Sequence, residues 1–356
     1  PPLPPPPLFF LMIRRPARST PLYSSAAQMC IRDSIRTSEF LWQEGHTVHE
    51  TEEQAKEQVE TMLKLYKDFV NEYLALPILT GRKSDKEKFV GADYTLTIEG
   101  IMPDGKALQM GTSHHLGQNF SKPFEISFLG KDEEQHFAWQ TSWGVSWRLM
   151  GALIMTHGDD KGLILPPKIA PIQVVIIPIY YDEMKKNEIM KVIEGVIKQL
   201  DAKGVRSYVD STEQHTPGWK FNQWEMKGVP IRIEIGPKDL EKNSFVVVKR
   251  NSREKRDIPI DNNTAGEIVK ELKTIQSELY DIAKKKHNNM IFESVDYNEL
   301  CERLNNERGF VKTGWCESRE CEDKIKDETG ADIRLIEDEK IDSTCIVCGK
   351  LSLIHI

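Results

Sequence analysis

Strand-like and helix-like segments change their rhythm near residue 171, and that change constrains the fold more than any other feature of the chain. Before it, the stretches DYTLTIEG (93–100), KALQMGTS (106–113), FEISFLG (124–130) and FAWQTSWG (137–144) follow one another across hairpin-length breaks such as MPDGK. Connections this short pair successive strands antiparallel. After it, a buried strand IQVVIIPI is followed by an amphipathic helix from Glu183 to Leu200, with Gly204 suited to its stop, and by a strand VRSYVD. Strands VPIRIEIG and SFVVVKR and a helix from about Thr264 to Lys286 complete this part. Alternation of that kind predicts an α/β domain whose mixed sheet is covered by helices. With 356 residues, the chain is long enough to bury two or three cores.

Within the first part, EFLWQE reads as a short strand, and Thr51 with Gln54 forms a capping box ahead of a helix. Along that helix Val59, Met62, Leu63, Tyr66, Phe69, Val70, Tyr73 and Leu74 recur at helical spacing, the signature of a core-facing stripe. RLMGALIMTHG (148–158) reads as a second helix. QMGTSHHLGQNF (109–120) is rich in small and turn-forming residues and reads as a loop carrying two adjacent histidines. Neighbouring strand residues face opposite sides, so at most one of the pair faces a site.

Six cysteines are present, and Cys316, Cys321, Cys345 and Cys348 fall as C-x4-C, a gap of 23 residues, and C-x2-C. That spacing suits a tetrahedral metal site rather than a secreted disulfide framework. Four thiolates leave no open position, so the metal is structural, and it ties together a small acidic unit from about Met290 to Lys350. The charged fraction of 29%, the apolar fraction of 39% and the net charge of −7 exclude a wholly basic nucleic-acid wrapper. A local basic face is left: Lys238 to Arg256 carries seven basic and three acidic side chains. Residues 1–34 run from a proline tract into scattered Arg and Ser without periodicity, and are expected to be non-native or disordered; LSLIHI (351–356) is treated in the same way. The apolar patch LFFLMI is too short to span a membrane.

Four motifs then carry a specific resemblance. RTSEFLWQEGHT (36–47) resembles the returning half of motif 2 of a class II aminoacyl-tRNA synthetase. TSHHLGQNFSKPFEI, SWGVSWRLMGALIMTHGDDKGLILPPKIAP and TPGWKFNQWEMKGVPIRIEIGPKDL resemble prolyl-tRNA synthetase of the archaeal and eukaryotic-like type, over about residues 35–350. The implied fold is α/β (α+β): a partial class II antiparallel-sheet catalytic domain at 35–171, an α/β anticodon-binding domain with a mixed sheet at 172–287, and a small zinc domain at 288–350. The implied reaction joins L-proline to ATP as prolyl-adenylate and passes the acyl group to tRNA(Pro), with Mg2+ accompanying ATP and a structural Zn2+. By motif position, Arg36 and Arg148 match the catalytic, ATP-contacting arginines. Gln109, Thr112 and Ser146 match other ATP contacts, and His114 and Trp42 match the proline site, with His115 in support. Cys316, Cys321, Cys345 and Cys348 match the zinc ligands, and Trp219, Phe221 and Trp224 are platforms for anticodon bases or core residues. Asp159 and Asp160 are explained by a turn and are not carried over as metal ligands.

The chain departs from the family where motif 1, the amine-recognising loop and the first strand of motif 2 belong, ahead of Arg36. The expectation is a chain impaired in adenylation and lacking the motif that builds the family's homodimer. Trp147 stands where a small residue is usual and is expected to crowd the nucleotide site. A cytoplasmic protein without membrane segments is implied. The competing readings are a non-catalytic tRNA-binding fragment, a class II synthetase for another small amino acid, and a hydrolase with zinc on His114 and His115.

Overall fold

The computed structural model describes residues 40–337, 343–352, 354 and 355. Arg36 and the segment 1–34 lie outside the described residues. The described residues form two compact units: one holds 40–70, 77–152 and those from 286 onward, the other 71–76 and 153–285.

In the first unit, β1 (Trp42–His49), α1 (Glu52–Glu72), β2 (Leu79–Arg82), β3 (Tyr94–Ile101), β4 (Ala107–Gly117), β5 (Ser127–Leu129), β6 (Gln135–Phe137), β7 (Trp139–Ser146) and the start of α2 (Arg148–His157) follow in order. Five strands make one sheet in the order β1-β7-β4-β3-β2, antiparallel throughout. The expected capping of α1 is present: Thr51 Oγ1 accepts from the Gln54 N–H at 3.3 Å, while the Gln54 side chain reaches back to the N–H of Glu50 rather than of Thr51. Ala55, Val59, Tyr66 and Val70 are buried on one stripe of the helix. Phe69 and Tyr73, counted in that stripe by periodicity, stand partly in solvent.

Two boundaries differ from the sequence reading. The first strand starts at Trp42, after Phe40 and Leu41, and runs on to His49, because its whole length pairs with β7 from Trp42↔Ser146 to His49↔Trp139. SHHLG is not a loop. It is the second half of β4, held between β3 and β7. Its small and polar residues suit a strand flanked on both sides, where backbone pairing outweighs local propensity.

The second unit contains β8 (Val174–Pro178), α3 (Glu183–Ala202), β9 (Ser207–Val209), α4 (Pro217–Met226), β10 (Ile231–Ile235), α5 (Pro237–Glu241), β11 (Ser244–Lys249), β12 (Lys255–Pro259) and most of α6 (Thr264–Asn288). Its sheet runs β12-β11-β10-β8-β9, with β10, β8 and β9 parallel and the other pairs antiparallel, the mixed sheet expected. Ile176, Ile231 and Ile233 pack with Ile189, Ile193, Ile268 and Ile275 of α3 and α6 on one face. Val175 and Ile177 pack with Trp224 of α4 on the other. The double cover explains why these strands are continuous apolar runs.

The rest of the first unit is β13 (Ile291–Glu293), α7 (Tyr297–Asn306), β14 (Phe310–Lys312), β15 (Gly314–Trp315), α8 (Arg319–Thr329) and the turn bearing Cys345 and Cys348. It packs on the sheet edge: Arg82 and Ile336 exchange backbone hydrogen bonds of 2.9 and 2.8 Å. Among the described residues no helix is long and apolar enough to cross a membrane.

Candidate active site

The sheet face opposite α1 borders a cavity of ≈ 480 Å³. Period-two geometry determines what reaches it. On β1, Trp42, Glu44 and His46 face the cavity, while Gln43 turns to α1 and accepts from the Tyr66 hydroxyl at 2.6 Å. Trp42 is not a core residue; it is 53% exposed. On β4 the ladder to β3 steps from Ile98↔Gly111 to Glu99↔Gln109, leaving Met110 as an extra, bulged residue. A bulge shifts the alternation by one. Gln109 and Thr112, three apart, thereby reach the same cavity together with His114. Gly111 is required by packing rather than by ligand approach, since a Cβ there would lie 2.7 Å from Val145 Cγ1 and 3.1 Å from the Gly144 carbonyl oxygen.

The two histidines have opposite fates. His114 is fixed at both ring nitrogens, with Nδ1 2.9 Å from Thr95 Oγ1 and Nε2 2.9 Å from Thr112 Oγ1. The Phe89 ring lies against it, 5.1 Å between centroids. Burial, helped by the nearby His46, pushes its pKa down to about 4, so the ring is neutral at physiological pH. His115 points to the other side, 1% exposed, stacked on Tyr94 at 5.1 Å and 3.1 Å from Asp93 Oδ2. The pair does not share one ion, which removes the zinc-hydrolase reading.

Ser146 and Arg148 border the cavity at the junction of β7 and α2. Arg148 is the first residue of α2, and its N–H donates to Ser146 Oγ at 3.4 Å. The guanidinium therefore starts from the positive end of the helix dipole, where phosphate oxygens are favoured. Trp147, expected to crowd this place, does not line the cavity and is 40% exposed. Ser146 and Arg148 on either side of it border the cavity, and Trp147 does not. Sequence reading missed Glu44, His46, Phe89 and Phe120 as lining residues. Glu44 and His46 were legible from the alternation with Trp42; Phe89 and Phe120 come from turns with no periodicity to read.

The four cysteines converge, with sulfur atoms all within 4.8 Å of one another. Cys316 Sγ lies 3.7 Å from Cys321 Sγ and 3.6 Å from Cys348 Sγ. A tetrahedron with Zn–S bonds of about 2.3 Å has edges of about 3.8 Å, so the donor set fits zinc. Burial pushes the Cys316 and Cys321 thiols up, whereas at Cys345 burial is outweighed by the backbone N–H groups of Cys348 and Val347 together with Cys316, which bring it down to about 7. Such amide donors to sulfur favour the thiolate a metal requires.

In the second unit, Trp224 is core, with Nε1 donating to Asp210 Oδ2 at 2.8 Å. Trp219 is 45% exposed and stacks on His215 at 3.6 Å. The basic stretch 238–256 is largely neutralised. Lys249, Arg250, Arg253, Lys255 and Arg256 each face a carboxylate within 4 Å, so the run is a network of ion pairs rather than a face of unpaired cations. Asp159 is the partner of Arg250 and Arg253, and the Arg250 guanidinium holds its carboxyl well below the usual range. It serves as an ion-pair residue in a turn.

Comparison with known proteins places these units. The class II core domain model for Gly, His, Pro, Ser and Thr synthetases matches residues 12–157, beginning inside the segment set aside above. An anticodon-binding domain matches residues 173–274, and the prolyl-tRNA synthetase C-terminal domain matches 297–353. A crystal structure of prolyl-tRNA synthetase from Cryptosporidium parvum, complexed with L-proline and AMP, superposes with a TM-score of 0.81 at 42% identity, covering 90% of this chain and 70% of that one. The chain belongs to the prolyl-tRNA synthetase family. A proline–tRNA ligase of Cenarchaeum symbiosum is 53% identical over 88% of the chain, and proline–tRNA ligase 2 of Clostridioides difficile is 48% identical over 90%. The chain spans 66% of the length of each of these two synthetases.

Proposed function

We propose that this chain carries the proline-activating and tRNA-binding parts of a prolyl-tRNA synthetase, joining L-proline to ATP and passing the prolyl group to tRNA(Pro). The observation that carries the reading is the convergence of Trp42, His114, Gln109, Thr112, Ser146 and Arg148 on one cavity, in a family whose Cryptosporidium member binds L-proline and AMP. Adenylation moves negative charge onto phosphate oxygens, so it needs fixed donors and cations more than a nucleophile. Arg148 supplies the charge, held at a helix start. Gln109, Thr112 and Ser146 supply neutral hydrogen-bonding groups for the nucleotide. Trp42, His114 and Phe89 form an aromatic, uncharged wall that suits the flat ring of proline. Arg36 is assigned by motif alone as a second phosphate contact. Mg2+ arrives as the counter-ion of the ATP substrate, with Glu44 the carboxylate on the cavity wall. The four thiols hold a structural zinc, which would tie the two cysteine turns together and take no part in bond making. Residues 35–171, 172–287 and 288–350 are the corresponding catalytic, anticodon-binding and zinc domains.

Proline-dependent ATP–pyrophosphate exchange, run on this chain with proline and with alanine, threonine and glycine, tests the assignment. Exchange with proline alone supports it. Preference for another amino acid would replace the substrate, and tRNA affinity without exchange for any amino acid would make the chain a binding module.

A further inference from the structure

Residues 82–93, between β2 and β3, are fastened at both ends. At the first end, Arg82, Ser84 and Lys86 are anchored by the cysteine-bearing part of the chain, and Lys83 by that part and by β3 together. Arg82 exchanges backbone hydrogen bonds with Ile336 and pairs with Glu317, the neighbour of Cys316. Lys83, 2% exposed, donates to Glu99 Oε1 at 2.6 Å and to the Arg334 carbonyl at 2.8 Å, and Arg334 closes the triad on Glu99 Oε2 at 3.0 Å. Ser84 Oγ donates to Glu322 Oε1 at 2.8 Å, both groups being buried, and Lys86 meets Asp323 at 2.5 Å. Glu322 and Asp323 directly follow Cys321 on α8.

The second end reaches the cavity. The Phe89 N–H donates to Thr95 Oγ1 at 3.2 Å, and that same oxygen lies 2.9 Å from His114 Nδ1. The Phe89 ring covers the His114 ring, and the Asp93 N–H donates to the His115 carbonyl at 2.8 Å. One helix thus presents Cys321 to the sulfur cluster and Glu322 to a strap whose far end orients the histidine of the amino-acid pocket.

We propose that the Ser84–Glu322 contact is a positioning element for proline: it transmits the folded state of the cysteine cluster through residues 82–93 to Phe89 and His114. Of the groups assigned to the nucleotide, Ser146 and Arg148 stand at the β7–α2 junction, whereas Gln109 and Thr112 are on β4 and Thr112 Oγ1 meets His114 Nε2. The coupling therefore acts first on proline, through His114 and Phe89, and reaches ATP only secondarily, through Thr112. A chain of packed contacts carries coupling only where both ends bias the same element, and here that element is the strap. The inference rests on reading the His114 end of the cavity as the amino-acid site.

The test uses the full chain, zinc-loaded, as wild type, Ser84→Ala, Glu322→Ala and Glu322→Gln. Two readouts are taken: amide hydrogen exchange at Phe89 and Asp93, and the separate KM values for proline and ATP in pyrophosphate exchange. In Ser84→Ala and Glu322→Ala those two amides are expected to exchange about ten-fold faster, the mark of a local opening rather than global unfolding. Zinc content and the amides of β10 stay unchanged, proline KM rises about ten-fold, and ATP KM rises by no more than about two-fold. Glu322→Gln, which keeps an acceptor for Ser84, restores the wild-type values. Wild-type exchange rates in both alanine variants, or proline and ATP KM rising equally, would overturn the proposal. Should Glu322→Ala lose zinc or fail to fold, Ser84→Ala decides, because it leaves α8 intact. If the wild type supports no proline-dependent reaction, that failure belongs to the assignment of activity, and the amide rates still decide whether the strap is coupled.

Discussion

His114 is a neutral ring because its surroundings exclude solvent and offer hydroxyl groups rather than carboxylates. Its folded pKa of about 4 lies below the ordinary 6.5, so the unfolded chain takes up a proton that the native chain refuses. Its contribution to stability is complete above about pH 6.5 and is lost as the pH falls toward about 4. Thermal unfolding of wild type beside His114→Gln measures this, and wild type should lose stability faster than the variant across that window. If the two midpoints fall in parallel, the ring is not held neutral. For Arg148→Ala, removal of a charged donor aimed at phosphate should lower kcat/KM for pyrophosphate exchange by about 10²–10³-fold, the size found for other transition-state donors. A change confined to stability would show that Arg148 is only a helix-start residue.

At the level of elements, the β4 bulge and the glycine beside it determine which side chains share the cavity. Gly111→Ala places a methyl against Val145 and the Gly144 backbone, and in a flanked central strand the backbone has little room to yield. A loss of about 1–3 kcal/mol is expected in denaturant unfolding, the usual cost of overpacking. In α4 the two tryptophans should separate cleanly. Trp224→Ala empties a buried site and removes a partner of Asp210, costing about 3–5 kcal/mol of stability. Trp219→Ala should leave unfolding unchanged and weaken tRNA binding by about 1–3 kcal/mol if a base stacks on the exposed ring. Filter binding and thermal melts on both variants check the contrast, and equal effects in either assay would count against it.

Across the first unit, distant parts of the chain are joined by charge as well as by apolar contact. Glu99 is fully buried and meets Lys83 and, from 235 residues further along, Arg334. Buried ion pairs seldom stabilise much by themselves, but removing one partner leaves an uncompensated charge. Glu99→Gln should therefore cost about 3–5 kcal/mol in chemical unfolding. An unchanged midpoint would show that Lys83 is solvated by other means.

What the sequence alone determined is what depends on near neighbours. The short MPDGK break paired β3 with β4 antiparallel, while FEISFLG pairs with β6 in a separate hairpin and β4 takes β7 instead; strand–helix alternation made the other sheet mixed, cysteine spacing marked a four-sulfur cluster, and period two meant that only one of His114 and His115 faces a site. Its errors were also local. Serine, glycine and histidine made half of β4 look like a loop, and a run of seven cations looked like a free basic face. Only the tertiary structure decided that β3 and β7 flank that segment as a strand, that Met110 bulges, that Phe89 lies on His114, and that Asp159, Glu234 and Glu271 neutralise most of the basic run. Each of these depends on a partner brought near by folding, and the pairing energy exceeds the local preferences that a one-dimensional reading weighs.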